Sequence, residues 1–218
     1  MGKFSRKISE VLRRDDCEQI SDYIVESCRM LSEEYQRQGK RMPNQENVIR
    51  NILLEEYLDN DKRRTVCNMR DYRFNPEPPE HYDGQGNYIG RGDIRIVLKT
   101  DFAKRDAYYL VECKRLDGSR RMNKEYVEEG VMRFTSQKYS AYYGKGFMLG
   151  FVVMPLHLTK NAREIEELQN ACAEPSVHGK FVPLNISAFR EVYRCVYQMR
   201  GGELELRHAF VDFSGIVE

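Results

Sequence analysis

The chain has no tryptophan, and its six cysteines are scattered. No two of Cys17, Cys28, Cys67, Cys113, Cys172 and Cys195 form a CxxC pair, which excludes zinc-knuckle and zinc-ribbon spacing. They read as reduced thiols in a reducing compartment. The histidines are equally dispersed, and no HExxH or HxxxH occurs, so a helix-borne zinc hydrolase site is excluded. No Gly-rich phosphate loop of Walker type and no GxSxG elbow is present. That removes nucleotide-driven motors and serine hydrolases of the α/β type. Charge of one sign is lacking too: 35 Lys and Arg against 34 Asp and Glu leave a net charge of +1. Any nucleic-acid contact must therefore come from a local basic patch. The longest apolar stretch, residues 147–158, is broken by Gly150 and Pro155 and is too short to span a bilayer. Residues 1–14 are basic without a signal-peptide core. The chain reads as a cytoplasmic protein with no membrane partner.

What remains is a charged but globular composition, 41% hydrophobic over 218 residues, enough to bury a core without metal or disulfide staples. Residues 7–38 carry apolar positions at helical spacing with gaps: Ile8, Val11, Leu12, Ile20, Tyr23, Ile24 and Leu31. They predict two helices, or one bent helix, ending at Gly39. We expect residues 1–42 to be an N-terminal helical extension and residues 43–218 the main domain. Pro43 and Asn44 start a clearer helix with a stripe of Val48, Ile49, Ile52, Leu53, Tyr57 and Leu58, closed by Asp59, Asn60 and Asp61.

Residues 65–74 read as a first strand, and the Pro- and Gly-rich stretch 75–90 as a loop. Ile94, Ile96 and Leu98 alternate with Arg95 and Val97 in a second strand. Residues 107–114 alternate in a third, and the pair reads as a hairpin. Residues 122–143 carry helical spacing at Val127, Val131 and Phe134. The nearly continuous apolar run 146–154 predicts a strand buried on both faces. Residues 158–173 form an amphipathic helix. A last hairpin, 192–198 with 204–213, turns at Gly201 and Gly202. The order gives an α/β domain with helices on both faces of a mixed central sheet. His208, on the apolar face of its strand, reads as a hydrogen-bonded core histidine.

The chemistry concentrates around Gly92-Asp93-Ile94 and Val111-Glu112-Cys113-Lys114. Glu112 and Lys114 sit two apart on a strand and so share one face, while Val111 and Cys113 point into the core. A hairpin brings Asp93 beside Glu112. Two carboxylates, with the Cys113 carbonyl between Glu112 and Lys114, offer hard oxygen ligands for Mg²⁺. Lys114 beside them can orient or deprotonate a water, or stabilise charge on a phosphorane-like transition state. The bland alternative is a strand pair with solvated polar residues.

Asp93 and the Glu112-x-Lys114 pair, with a helix before the hairpin and a helix and buried strand after it, resemble the PD-(D/E)xK phosphodiesterase superfamily. The resemblance covers about residues 44–154. It implies a restriction-endonuclease-like fold and metal-dependent hydrolysis of nucleic acid, DNA favoured over RNA. Asp93 and Glu112 would bind Mg²⁺ or Mn²⁺ and Lys114 would assist the attacking water. Gly92 stands where the motif often has Pro. The resemblance adds an acidic residue from the preceding helix, Glu46, with Glu55 and Glu56 competing, and a polar or aromatic residue late in the following helix, Gln137 or Tyr139. Family habit also fits an effector of restriction or anti-phage defence beside a larger sensor or regulator subunit, and a homodimer for cutting two strands.

The basic run of residues 114–124, with Arg115, Arg120, Arg121 and Lys124, directly follows the motif and is a candidate phosphate-backbone contact. It is equally a solvated run balanced by Glu125, Glu128 and Glu129. No zinc finger or helix-turn-helix is visible, so weak sequence preference is expected. The alternative of another class is a noncatalytic nuclease-fold module that binds nucleic acid or a partner subunit.

Overall fold

The computed structural model describes residues 3–76, 92–136, 139 and 142–218, with the backbone alone for 3–15 and 175. Seven strands form one mixed sheet in the order β1-β2-β3-β4-β7-β6-β5. The strands are β1 (Tyr72–Pro76), β2 (Ile94–Leu98), β3 (Tyr109–Leu116), β4 (Lys145–Val152), β5 (Val182–Ile186), β6 (Arg190–Met199) and β7 (Gly202–Asp212). β1, β2 and β3 form an antiparallel meander, β3, β4 and β7 run parallel, and β6 and β5 return antiparallel.

Helices cover both faces. On one face lie α1 (Lys3–Gln38) and α2 (Glu46–Ile52), the latter continued by a π-helical segment, Leu53–Leu58. Ile94, Ile96, Val111 and Cys113 from the sheet join Ile20, Ile24, Leu31, Ile49 and Leu53 in one buried cluster there. On the other face lie α4 (Arg120–Tyr126), a π-helical segment Val127–Val131, α5 (Met132–Thr135) and α6 (Leu158–Asn170). Leu110, Leu116, Met148 and Phe210 meet Tyr126, Val131, Phe134 and Ile165 in the second cluster. The alternation along β3 thus feeds two cores. All of β4 after Lys145 is buried, as its unbroken apolar run requires.

Three points refine the expectations. First, of the two readings of the N-terminal segment the single helix is the one formed, and its Cys17, Ile20, Cys28 and Leu31 are buried in the same cluster as Val111 and Phe147. The buried stripe includes Ser21, Ser27 and Ser32, which opens the gaps in its apolar pattern. Second, residues 61–66 are helical (α3, Asp61–Val66), and the strand starts only at Tyr72. Asn60, read as a helix stop, is also a helix start: its side chain accepts a hydrogen bond from the Arg63 N–H at 3.2 Å. Third, the helix expected over 122–143 ends at Thr135, just after Phe134, where its apolar period stops. Strand β5 was not read from the sequence: Val182, Leu184 and Ile186 alternate there, but Pro183 interrupts the run and all five residues are exposed. Most of the expected loop at 75–90 falls outside the described residues.

Candidate active site

Asp93 stands immediately before β2, and the β2–β3 register pairs Ile94 with Val111. One step further on, Asp93 comes opposite Glu112. Its carboxylate takes two hydrogen bonds at 2.7 Å, one on Oδ1 from Arg50 Nη1 and one on Oδ2 from the Cys113 N–H. Arg50 and Asp93 are both nearly buried, so this is an internal ion pair.

Glu112 is 1% exposed and accepts three hydrogen bonds. Oε1 accepts from Lys114 Nζ at 2.9 Å and from Arg133 Nη1 at 3.2 Å. Oε2 accepts from the Tyr139 hydroxyl at 2.8 Å, and Arg133 bonds that same hydroxyl oxygen at 2.9 Å. The fourth influence is charge: Asp93 acts on Glu112 through space. Burial first, and Asp93 second, push the Glu112 carboxyl up to about 7, against the pull of Lys114 and Arg133. Its charged form is therefore costly as the site stands.

Lys114 reaches across to α2, where Glu46 Oε1 lies 3.3 Å from its Nζ. Glu46 Oε2 accepts the Arg115 N–H at 3.1 Å. Glu112, Glu46 and Asp93 together hold the Lys114 ammonium well above its ordinary range, outweighing its burial. Lys114 is thus a standing positive charge and hydrogen-bond donor. A different helical segment, Val127–Val131, packs closely on β3 and β4 because Gly130 has no side chain: a Cβ there would lie 2.5 Å from Met148 Cε and 3.6 Å from Lys114 Cγ. Both π-helical segments belong to the helices that supply these residues. Such segments are rare, and functional sites hold a large share of them.

The structure therefore gathers Asp93, Glu112, Lys114, Cys113, Glu46 and Tyr139 in one cluster. Cys113 joins through its N–H, while its thiol side is buried in the core. Glu55 and Glu56 are exposed, so Glu46 is the helix carboxylate brought to Lys114. Gln137 lies outside the described residues. Arg115 sits beside the cluster but turns its guanidinium to Asn44, at 2.5 Å from the carbonyl and 2.8 Å from Oδ1. The proposed basic loop is helical: Arg120, Arg121 and Lys124 are exposed on α4. Arg121 and Lys124 are matched one turn on by Glu125 and Glu128, at 2.7 and 3.4 Å.

Sequence reasoning missed Arg50 as a site residue and did not single out Arg133. Arg50 is four residues from Glu46, which places both on one face of α2 and was the available signal. Arg133 is one helical turn from Glu129, which it also binds at 3.1 Å, and on sequence it looks like an ordinary surface pair.

Three carboxylates and three cations balance here, and every oxygen of Asp93 and Glu112 already has a donor. Among the described residues, no group of three or more His, Cys, Asp or Glu side chains is placed to hold a metal ion. Mg²⁺, however, takes one or two protein carboxylates and completes its shell with water and substrate phosphate. Glu112 Oε1 already takes two donors, but Oε2 and both Asp93 oxygens take one each and keep a second lone pair. The donor set of Asp93 and Glu112 fits that requirement, and burial with Asp93 close by raises the Glu112 carboxyl despite its cationic partners. Neither family models, curated proteins nor solved structures give a match to this chain. Among the described residues, no helix is long and apolar enough to cross a membrane.

Proposed function

We propose that the chain is a metal-dependent phosphodiesterase acting on nucleic acid, of the PD-(D/E)xK kind, with DNA the favoured substrate. The observation that carries this is the buried Glu112, whose ionised form is costly beside Asp93 yet sits against a permanently charged Lys114. Strongly displaced titratable groups of this kind collect at functional sites, where a cation or phosphate completes the cluster. Asp93 and Glu112 would hold Mg²⁺ or Mn²⁺. A divalent cation there would polarise the scissile phosphate and ease deprotonation of a water. Lys114 donates from its ammonium, so its part is to orient the water and stabilise charge on the phosphate oxygens rather than to accept a proton. Arg50 and the Cys113 N–H fix the Asp93 carboxylate. Tyr139 and Arg133 fix Glu112. Glu46 steers Lys114.

A second reading is favoured by the saturation of the carboxylates: a locked cluster in a noncatalytic nucleic-acid-binding module. Plasmid DNA, single-stranded DNA and structured RNA, each incubated with Mg²⁺, Mn²⁺ or EDTA, separate the two. Cleavage that needs metal and disappears in both Glu112→Ala and Lys114→Ala supports the enzyme. Cleavage that survives both substitutions removes this site from the chemistry. Binding without cleavage favours the module.

A further inference from the structure

The face of the sheet that carries Asp93 continues outward along β2 and β1. Asp93, Arg95 and Val97 alternate along one strand. Arg95 pairs with Asn75 and Val97 with Arg73, so these four side chains share that face. A cleft of about 310 Å³ opens there, lined by Arg73, Asn75, Arg95, Val97, Phe102, Lys104 and Arg105. The lining holds four cations and no acid. Phe102 is 57% exposed on the turn after β2, in the middle of them.

Part of that charge is spent. Lys104 binds Asp101 at 2.7 Å, and Arg73 lies 3.8 and 3.9 Å from Asp59 and Asp61. Among the described residues, Arg95 and Arg105 have no ion pair. Arg95 rests its guanidinium over the Tyr108 ring, 5.6 Å from the centroid, and its buried Nε has no hydrogen-bond partner. Along β2, Arg95 and Asp93 are about 7 Å apart. The contrast with α4 is direct, since Arg121 and Lys124 there are neutralised by their own helix.

We propose that this cleft is the track for an unpaired nucleic-acid strand, delivering it to the Asp93–Glu112 cluster. Phosphates lie on Arg95, Arg105, Lys104 and Arg73, and one base stacks on Phe102. A free aromatic face takes a base only where that base is not already stacked in a duplex. This rests on the nucleic-acid reading of the cluster and adds the form of the substrate and its path.

The test is fluorescence anisotropy in EDTA, where no metal-dependent cleavage intrudes, with labelled 20-nucleotide DNA and RNA strands and the matching duplex, over a salt series. The unpaired strand is expected to bind more tightly than duplex, and the DNA and RNA arms name the sugar. Phe102→Ala should weaken binding about tenfold at an unchanged salt slope, with Phe102→Tyr restoring it. Arg105→Ala should lower the slope of log affinity against log salt by about 0.7. Arg121→Ala on α4 should change neither. No binding by the wild type, full binding by Phe102→Ala, or equal loss on duplex overturns the proposal. Metal-dependent cleavage with an indifferent Phe102 would sink the track alone. Strand binding that depends on Phe102 without cleavage would sink the catalytic reading alone.

Discussion

Two polar residues lie level on the sheet, two strands apart. Glu112 on β3 pairs in register with Met148 on β4, which pairs with His208 on β7. Both are buried, Glu112 to 1% and His208 to 0%. Their surroundings differ in kind. His208 sits between two hydroxyls, Tyr126 at Nδ1 and Tyr197 at Nε2, each 3.0 Å away, and the Tyr197 hydroxyl donates to Gln169 Oε1 at 3.1 Å. The Phe181 ring packs 4.5 Å from its centroid. Every polar atom in that chain is neutral and matched. Around Glu112 the Tyr139 hydroxyl is joined by ions: Lys114, Arg133 and, through Asp93, Arg50. The opposite pKa displacements express this. Burial drives the His208 imidazolium down to about 3, so it stays neutral, whereas Glu112 is pushed up to about 7 and titrates near neutrality. A sealed neutral network is scaffolding. A buried charge cluster with a displaced carboxyl is the kind of arrangement that functional sites collect, and it supports the reading proposed above.

The largest effect should separate the two. Glu112→Ala is expected to reduce metal-dependent cleavage about a thousandfold or more, the worth of several kcal/mol of charge stabilisation. His208→Gln should leave the cleavage rate near wild type and cost about 2 kcal/mol of stability in a denaturant melt, by leaving a tyrosine hydroxyl unpaired. Loss of activity in the histidine variant at full stability would erase the distinction.

Next comes Arg50. Removing one member of a buried ion pair costs about 3 kcal/mol or more. Arg50→Ala should show that loss without metal and regain part of it with Mg²⁺, since a cation substitutes for the missing charge on Asp93. Equal loss with and without metal would place Asp93 outside the cation site.

The pH profile sharpens the contrast by sign. The folded pKa of His208 lies below its unfolded value of about 6.5, so its contribution is intact above that pH. It is lost as pH falls, at roughly 1 kcal/mol per unit, because the unfolded chain takes up the proton first. For Glu112 the folded value lies above the unfolded one. Stability is then intact below about pH 4.5 and declines as pH rises through about 7. Urea melts of wild type, His208→Gln and Glu112→Gln across pH 4–8 should show the acid-side slope eased in the first variant and the neutral-side slope eased in the second. Superimposable slopes would contradict both assignments.

The smallest effect belongs to Tyr139. Tyr139→Phe removes one hydrogen bond to a carboxylate and leaves the ring in place. About a tenfold drop in cleavage rate is expected, with little change in folding. An unchanged rate would reduce Tyr139 to packing.

Much of this was legible in the sequence, for reasons that differ by element. The unbroken apolar run of β4 and the alternation in β2 and β3 are direct imprints of burial, and they place Asp93, Glu112 and Lys114 together. Glu46 was legible as a carboxylate in the right helix. The burial of α1 was not, because its inward face is partly serine and cysteine, and small polar residues leave no apolar stripe. The double duty of Asn60, ending one helix and capping the next, cannot be told from a simple stop. Arg50 and Arg133 look like solvated helix cations until tertiary contact with Asp93 and Glu112 is known. The basic run after β3 misled for the converse reason: charges close in sequence proved to be paired along one helix, while those on β1, β2 and the following turn converge only in three dimensions.

The most direct measurement is thermal unfolding at pH 8 with EDTA or with 10 mM Mn²⁺, for wild type and Glu112→Gln. Ligand that binds only the folded state raises its stability in proportion to the logarithm of ligand concentration over Kd. The account predicts that Mn²⁺ raises the melting temperature of the wild type and not of the variant, and that the variant melts higher than the wild type in EDTA. A wild type indifferent to Mn²⁺, or a variant stabilised by it equally, would contradict the claim that Glu112 is held in the core for a divalent cation.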